Sequence, residues 1–523
     1  MIIDSLSMMI VGLRAKYLLA VLSGLLITAS FPPGHLDWLA WFALVPLLIA
    51  VEGTSPRVAF KVGLSAGLAH YLTLIYWVIV AMKHYGNIPI LASLGLLLML
   101  SIYLALYPAC FAMFFSTISG SRFFLLKAAS LWVALEYVRA KVLTGFPWCL
   151  LGYTQFRHPE VLQIADLAGV YAVSFVLILC NSLIYALFLN RRWRRNKAFK
   201  SEMAVIFLIA LFTAGYDYQR VSTSQDLQKT TRVAVVQGNI DQSTKWNPAF
   251  QKKTIEIYQN LTRRASRFEP DLVVWPETAV PFFFQDHPEM AYQVIQAARE
   301  SKADLVFGSP AYREEDGQTV YYNRAYHVSP QGRVSGYYDK VHLVPFGEYV
   351  PLKRLLPFVH RLVVSTGDFS PGDSMDPLAL TNHSAGILIC FEIIFPELAR
   401  AQVKNGAEFL VNLTNDAWYG RTSAPYQHFS MAVFRAVENG RPLVRAANTG
   451  FSGFINQRGE ILDHGTLFSR EVLARDVVPV QSRLTVYTRF GDVFAIGLLV
   501  ATTLNLLIAL YCNKRSSRRP KAR

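Results

Sequence analysis

The chain has 523 residues, of which 53% are apolar and 17% are charged, whereas a soluble domain carries about 25% charged residues. This composition excludes a single soluble globule, the 13% of aromatic residues excludes intrinsic disorder, and five cysteines exclude a disulfide scaffold. The net charge of +15 does not indicate nucleic-acid binding, because residues 191–200 and 514–523, two short runs beside apolar segments, hold six positive residues each.

Apolar runs in the first 215 residues predict seven membrane spans. They lie near residues 17–32, 36–51, 61–82, 88–116, 123–140, 169–190 and 203–216. A helix crosses a bilayer with about 20 apolar residues. The runs at 36–51 and 203–216 are shorter than that, and the run at 123–140 contains charged residues. A clean apolar run at 493–511 predicts an eighth span.

The residues between the seventh and eighth apolar runs have the charge content and the alternation of a soluble domain. We therefore predict a membrane bundle at 1–216, a soluble domain at 217–490, a closing span at 491–511 and a basic tail at 512–523. With eight spans, the positive residues that flank the spans all fall on one side of the membrane. Both termini are then expected in the cytoplasm, with the soluble domain on the other side.

The soluble domain is predicted to have an α/β fold, because short β-branched runs recur between helical patterns. The expected strands are 233–237, 271–275, 304–308, 324–328, 334–338, 386–390, 409–413 and 443–446. The expected helices are 248–268, 289–301, 396–405 and 426–440. Most of these strands are apolar throughout, which is typical of a sheet covered on both faces, and functional residues collect where such strands end.

The first strand end of interest carries Glu277, which follows an apolar strand and Pro276. A glutamate at the wall of a covered sheet is partly desolvated, so its pKa should rise, and this suits a general base that works near neutral pH. The alternative is a surface glutamate or a helix-capping neighbour after a turn.

The second strand end carries Lys340, and Glu348 follows eight residues later in a loop that contains Pro345 and Gly347. A lysine in a dry site is a fixed cation that can stabilise a developing oxyanion. The alternative is a solvated lysine. His342 has no second histidine or cysteine at ligand spacing, so we expect a structural histidine rather than a metal ligand.

The third strand end carries Cys390, with Glu392 two residues later. Cys390 is the single cysteine of the predicted soluble domain, and an unpaired cysteine outside the cytoplasm is a hazard unless it is buried or used. As a nucleophile it would need a base and an oxyanion donor, which Glu277 and Lys340 would supply. The alternative is a small buried side chain at a strand end.

A Glu–Lys–Cys set in this order, with these flanks, resembles the nitrilase superfamily of carbon–nitrogen hydrolases. The matching stretches are WPE at 275–277, DKVHLVPFGE at 339–348 and CFE at 390–392. With spans before and after the domain, nearly the whole chain resembles the apolipoprotein N-acyltransferase family. The further matching stretches are FPW at 146–148, VVQGNIDQSTKW at 235–246, NDAWYG at 415–420 and QHFSMAVFRAVENGRPLVRAANTG at 427–450.

The resemblance implies a nitrilase-like αββα sandwich inserted between transmembrane helices 7 and 8 of an eight-helix membrane part. It implies a multi-pass enzyme of the bacterial inner membrane whose catalytic domain lies in the periplasm. The family transfers an acyl chain from a phospholipid, typically the sn-1 chain of phosphatidylethanolamine, through a cysteine thioester. The acceptor is the α-amine of an S-diacylglyceryl-cysteine apolipoprotein, and this transfer is the last step of lipoprotein maturation.

By the motif match, Cys390 would be the nucleophile, Glu277 the base and Lys340 the oxyanion stabiliser. Glu348 would be a supporting acid near the site, and Glu392 would support these groups from further out. Each of these roles follows from the resemblance and from the chemistry of the side chain.

Phe391 departs from the family pattern, which commonly has tyrosine after the nucleophile, so any hydrogen bond from that hydroxyl is lost while activity is expected to survive. Aromatic residues on loops that flank the motifs are expected to line a lipid portal or the membrane interface, or alternatively to pack there without contacting substrate. They are Trp148, Trp246, Trp418 and Tyr419.

The expected partners are a phospholipid acyl donor, diacylglyceryl-modified apolipoproteins and membrane lipids, with no nucleic acid, metal or cofactor, and we expect a monomer. The main alternative is a membrane-tethered hydrolase of small amides or nitriles that uses the same three residues. A transporter or a lipid-binding scaffold is a second alternative, but the sequence shows no internal repeat, and the intramembrane residues Glu136 and His70 are isolated.

Overall fold

The computed structural model describes residues 12–119, 121–188, 197–222, 230–349, 369–481 and 483–517. Most of the basic run at 191–200 and the end of the basic tail from residue 518 lie outside these residues. The predicted side of the membrane for these two basic segments therefore rests on the helices between them.

The described residues before position 223 are almost entirely helical. The main helices are α1 (Leu13–Ala29), α2 (Val45–Val51), α3 (Pro56–Leu74), α4 (Ile90–Ile118), α5 (Phe124–Lys141), α6 (Val170–Phe188) and α7 (Lys197–Ser222). Close backbone packing joins α3 to α4, because a Cβ on Gly67 would lie 2.7 Å from the Cα of Ala105. Small residues at such a contact are typical of helices that pack inside a membrane.

The eight predicted spans are confirmed only in part. Among the described residues, three helical stretches are long and apolar enough to cross a membrane: Ile90–Ile118, Val170–Leu187 and Lys200–Arg220. A fourth span results if Pro56–Leu74 and Val78–Tyr85, which bend by 54° at a short break, count as one. The eight-span count stays a prediction, because the remaining apolar helices are shorter or carry charged residues.

Two six-stranded sheets form the part that follows. In chain order the strands are β1 (Thr231–Gln237), β2 (Leu272–Val274), β3 (Asp304–Glu315), β4 (Gln318–Val328), β5 (Val334–Asp339), β6 (Leu378–Ala379), β7 (Ser384–Ile389), β8 (Phe409–Thr414), β9 (Leu443–Ala447), β10 (Gly453–Ile455), β11 (Ile461–His464) and β12 (Glu471–Val477). The first sheet has the order β12-β1-β2-β3-β4-β5 and the second β11-β10-β9-β8-β7-β6. The strands β1, β2 and β3 are mutually parallel, as are β7, β8 and β9.

Helices cover the outer face of each sheet. They are α8 (Pro248–Ala265), α9 (Pro288–Ser301), α10 (Pro396–Lys404) and α11 (Ala424–Asn439), and the chain continues to α12 (Val493–Ser517). Apolar side chains of β1, β2, β7 and β8 fill the space between the sheets, while α8 and α9 pack on the first sheet. The helices α10 and α11 share one continuous apolar core with the N-terminal helices. The result is an αββα sandwich with one outer layer packed against the helical part.

All eight predicted strands and all four predicted helices of this domain are present. The strand β3 continues past its predicted end, β4 begins before its predicted start, and β7 stops at Ile389, one residue before its predicted end. Four strands were not predicted from the sequence. They are β6, β10 and β11, which have two to four residues, and β12, in which polar and apolar residues do not alternate cleanly.

Candidate active site

Glu277 lies in the loop after β2, and its side chain is buried. The neighbouring strand β3 fixes this loop, because Trp275 N donates to Val306 O at 2.8 Å and Gly308 N donates to Pro276 O at 3.2 Å. A Cβ on Gly308 would lie 2.7 Å from the Cα of Glu277, so only glycine permits this close approach. The backbone thus determines where the carboxylate enters the site.

Lys340 follows β5 and is buried beside two carboxylates. Its Nζ lies 2.9 Å from both carboxylate oxygens of Glu348 and 3.7 Å from Oε1 of Glu277. Burial lowers the pKa of Lys340, but Glu348 and Glu277 raise it by more, so the pKa lies well above its usual value. Lys340 is therefore charged at neutral pH.

Asn323 of β4 connects the two carboxylates. Its Nδ2 donates to Oε1 of Glu277 and to Oε1 of Glu348, at 2.9 Å each. Asn323 was not predicted from the sequence, although a buried amide inside a strand must find hydrogen-bond partners and therefore indicates a polar site. Among the described residues, Oε2 of Glu277 has no hydrogen-bond partner, so this oxygen is free to accept a proton.

Cys390 lies at the start of a 3-10 turn, Cys390–Ile394, immediately after β7. Its φ of +53° is in the left-handed region, which costs a non-glycine residue about 1–3 kcal/mol and is typical of functional positions. Burial and the nearby Glu277 raise the pKa of the thiol, whereas Lys340 lowers it by less. The resting group is thus a thiol, which needs a base when it attacks.

Glu392 links the loop that carries Lys340 to the turn that carries Cys390. It is fully buried, and its Oε1 accepts hydrogen bonds from Val341 N at 2.7 Å and His342 N at 3.0 Å. Its Oε2 accepts a hydrogen bond from Ile389 N at 2.7 Å. Burial raises the pKa of Glu392 to about 7, and the backbone donors oppose this rise.

His342 packs against an aromatic ring rather than against the cluster of charges. Its ring centroid lies 3.7 Å from that of Phe395, and burial lowers the pKa of the imidazole. This environment fits the structural role expected from the sequence. Within the described ranges, no group of three or more His, Cys, Asp or Glu side chains could hold a metal ion.

An aromatic seam, formed by Trp77, Trp148, Phe391 and Tyr419 around Gln427, joins the helical part to the turn of Cys390. The rings of Trp148 and Phe391 stack with their centroids 6.5 Å apart, and Tyr419 meets Trp77 edge-on at 4.9 Å. Oε1 of Gln427, which belongs to α11, accepts hydrogen bonds from Nε1 of Trp148 at 2.8 Å and of Trp77 at 3.1 Å. The sequence analysis gave no role to Trp77 or Gln427.

The four predicted portal residues are not grouped together. Trp148 and Tyr419 belong to the aromatic seam, and Trp148 is fully buried, which fits the alternative of interfacial packing. Trp418 instead packs edge-on against Tyr85, with ring centroids 5.0 Å apart. Trp246 is 45% exposed at the end of a short helix. The portal role of each stays a prediction.

Comparisons with known proteins cover both parts of the chain. The family model for the apolipoprotein N-acyltransferase N-terminal domain matches residues 23–183, and that for carbon-nitrogen hydrolase matches residues 232–486. The apolipoprotein N-acyltransferase of Geobacter metallireducens is 47% identical over 92% of this chain and 93% of its own length. That of Vibrio vulnificus is 34% identical over 95% of this chain and 97% of its own. The crystal structure of a carbon-nitrogen hydrolase from Helicobacter pylori has a TM-score of 0.38 and 19% identity, covering 48% of this chain and 89% of that one.

Proposed function

Because the chain belongs to the apolipoprotein N-acyltransferase family, we propose that it N-acylates lipoproteins through a thioester on Cys390. The acyl donor is the sn-1 chain of phosphatidylethanolamine, and the acceptor is the α-amine of S-diacylglyceryl-cysteine. One observation carries this proposal: a buried carboxylate, lysine and cysteine lie at strand ends that the aromatic seam joins to the apolar helices.

In the first half-reaction, the free Oε2 of Glu277 takes the proton of the Cys390 thiol. The sulfur attacks the ester carbonyl carbon, and the ammonium of Lys340 stabilises the oxyanion of the tetrahedral intermediate. The intermediate collapses with loss of the lysophospholipid alkoxide, which takes the proton from Glu277. The acyl chain is left on Cys390 as a thioester.

In the second half-reaction, the amine of the lipoprotein attacks the thioester. Glu277 takes a proton from the attacking nitrogen and returns it to the departing sulfur of Cys390, which restores the resting thiol. A thioester suits amide formation, because its thiolate is a good leaving group. Water must be excluded between the two half-reactions, because it would otherwise hydrolyse the thioester. The burial of Glu277, Lys340 and Cys390 supports this exclusion.

The proposal includes an arrangement in the membrane. It has a membrane bundle at 1–216, a periplasmic catalytic domain at 217–490, a closing span at 491–511 and a cytoplasmic tail at 512–523, in a protein that acts as a monomer. The positive residues beside the apolar runs support this orientation. Both substrates are lipids, so they reach the site laterally from the bilayer, and the shared core of α10, α11 and the N-terminal helices supports that route.

The test is an intact mass of the purified protein after incubation with phosphatidylethanolamine. We expect a gain of one acyl chain that hydroxylamine removes and that Cys390→Ala does not show. A diacylglyceryl-cysteine peptide should also remove the acyl chain and become N-acylated. Cys180→Ala is the matched control, since Cys180 lies in α6 and should leave the mass gain intact.

Two results would overturn the proposal. A folded protein that gains no mass but turns over small amides would be a membrane-tethered hydrolase. A mass gain that persists in Cys390→Ala would place the acyl chain on another residue.

A further inference from the structure

Lys245 is a second lysine beside the catalytic cluster, to which neither the sequence analysis nor the proposed reaction gives a role. It ends the short helix Gln242–Lys245, and its side chain is 2% exposed, although lysine is almost never fully buried without a partner. Its Nζ donates a hydrogen bond to the backbone carbonyl of Glu277 at 3.2 Å. It therefore holds the loop that carries the proposed base.

The charges around Lys245 come from two strand ends. Glu277 after β2 and Cys390 after β7 both interact electrostatically with its ammonium, and both favour the charged form. Burial opposes them and lowers the pKa of Lys245 to about 8. At pH 7 the side chain is therefore mainly protonated. On its own helix, the nearest acidic residue is the N-capping Asp241, whose carboxylate binds Ser243 N and Oγ.

The ammonium of Lys245 adds a second positive charge to the buried groups around Glu277. The cluster contains the carboxylates of Glu277 and Glu348, and the ammonium of Lys340 neutralises only one of them. The ammonium of Lys245 makes the set of Glu277, Glu348, Lys340 and Lys245 neutral. Glu392 lies outside this set, because it binds only backbone N–H groups and the hydroxyl of Tyr338. When a proton moves from Cys390 to Glu277, the negative charge moves to sulfur and the cluster stays neutral, which avoids the large cost of an uncompensated buried charge.

We propose that Lys245 is a positioning residue of the acyl-transfer site, which holds the Glu277 loop through its carbonyl and balances the negative charge that forms on Cys390. This inference rests on the proposed function for the role of Cys390. A charge-balancing lysine differs from a purely structural one in one respect: a lysine that only donates a hydrogen bond would leave the titration of the thiol unchanged.

The test is the pH dependence of Cys390 alkylation by iodoacetamide, followed by the mass of the peptide that contains Cys390. The variants are Lys245→Met, which removes the charge and the donor, and Lys245→Gln, which keeps an N–H donor and so preserves the loop. Lys253→Met is the matched control, because Lys253 is exposed on α8. We expect both Lys245 variants to move the midpoint of alkylation up by about one pH unit, hence about a tenfold loss of rate below the midpoint.

The result that overturns the inference is a midpoint in Lys245→Gln that equals that of the parent and of Lys253→Met. The acylation assay with phosphatidylethanolamine is run on the same samples and separates the two proposals. A parent protein that shows the lysine-dependent midpoint but gains no acyl mass refutes the proposed function and leaves Lys245 as a residue that balances the charge of Cys390 in some other reaction. A parent that is acylated while the midpoints coincide refutes the inference alone.

Discussion

Glu392→Gln tests the link between the lysine loop and the cysteine turn, because it keeps the size of the side chain and changes its hydrogen bonding and its charge. The carboxylate accepts bonds from Val341 N, His342 N and Tyr338 Oη on one oxygen and from Ile389 N on the other. The amide of glutamine retains the first three bonds when its oxygen takes that side. Its NH2 group then faces the N–H of Ile389, so two buried donors are left without acceptors.

Each buried donor without an acceptor costs about 1–3 kcal/mol. We therefore expect Glu392→Gln to lose about 2–6 kcal/mol of unfolding free energy. The matched control is Glu397→Gln on α10, whose ion pair with Lys141 is partly exposed at 2.7 Å and is worth about 0–1 kcal/mol. Denaturation in detergent micelles measures the stability of both variants.

Acylation by phosphatidylethanolamine provides the functional readout for the same pair of variants. We expect Glu392→Gln to form the acyl-enzyme at least tenfold more slowly than the control, because the two loops lose their common anchor. The reasoning is refuted if the two variants agree within about 1 kcal/mol in stability and within twofold in acylation rate.

Three further substitutions test other contacts of the site. Gly308→Ala would place a Cβ 2.4 Å from the backbone of the Glu277 loop, so acyl-enzyme should no longer form, whereas Gly497→Ala, with no atom within 4 Å, should be acylated normally. Asn323→Asp replaces the donor shared by Glu277 and Glu348 with a third carboxylate, which repels both. Acyl-enzyme formation should slow by about tenfold, and a rate equal to that of the parent would contradict this. Gln427→Leu leaves two indole N–H groups unpaired, at about 1–3 kcal/mol each, so thermal unfolding should occur earlier than in the exposed control Gln481→Leu.

The sequence predicted the elements of the sandwich that bury a continuous apolar face. The strands β1, β2, β7, β8 and β9 fill the space between the sheets, and their composition shows it. The edge strand β12 was missed because it pairs with β1, which is distant in sequence, and β6 was missed because it has only two residues. The span count could not be settled by composition, since Asp37–Val51 divides into a 3-10 turn and a short helix.

The sequence also predicted that Glu277, Lys340 and Cys390 follow strands, and Nζ of Lys340 lies 3.7 Å from Oε1 of Glu277. The catalytic roles of the three residues stay predictions. The sequence did not predict Asn323, because its role depends on two loops that both approach this one position of β4. Nor did it predict Gln427, because the two indoles that it binds lie about 350 and 279 positions away along the chain. Contacts of this kind are set by tertiary packing, for which one sequence carries no local pattern.

The shared acceptor in the aromatic seam limits how members of this family can be recombined. A chimaera that joins the N-terminal helices of one protein to the sheets of another divides Trp77 and Trp148 from the Gln427 that satisfies both. Both indoles would lose their acceptor wherever the second protein carries a residue other than glutamine at this position. The natural unit of exchange is therefore the N-terminal helices together with α11. The boundary between exchangeable parts does not lie at the position in the sequence where the N-terminal helices end.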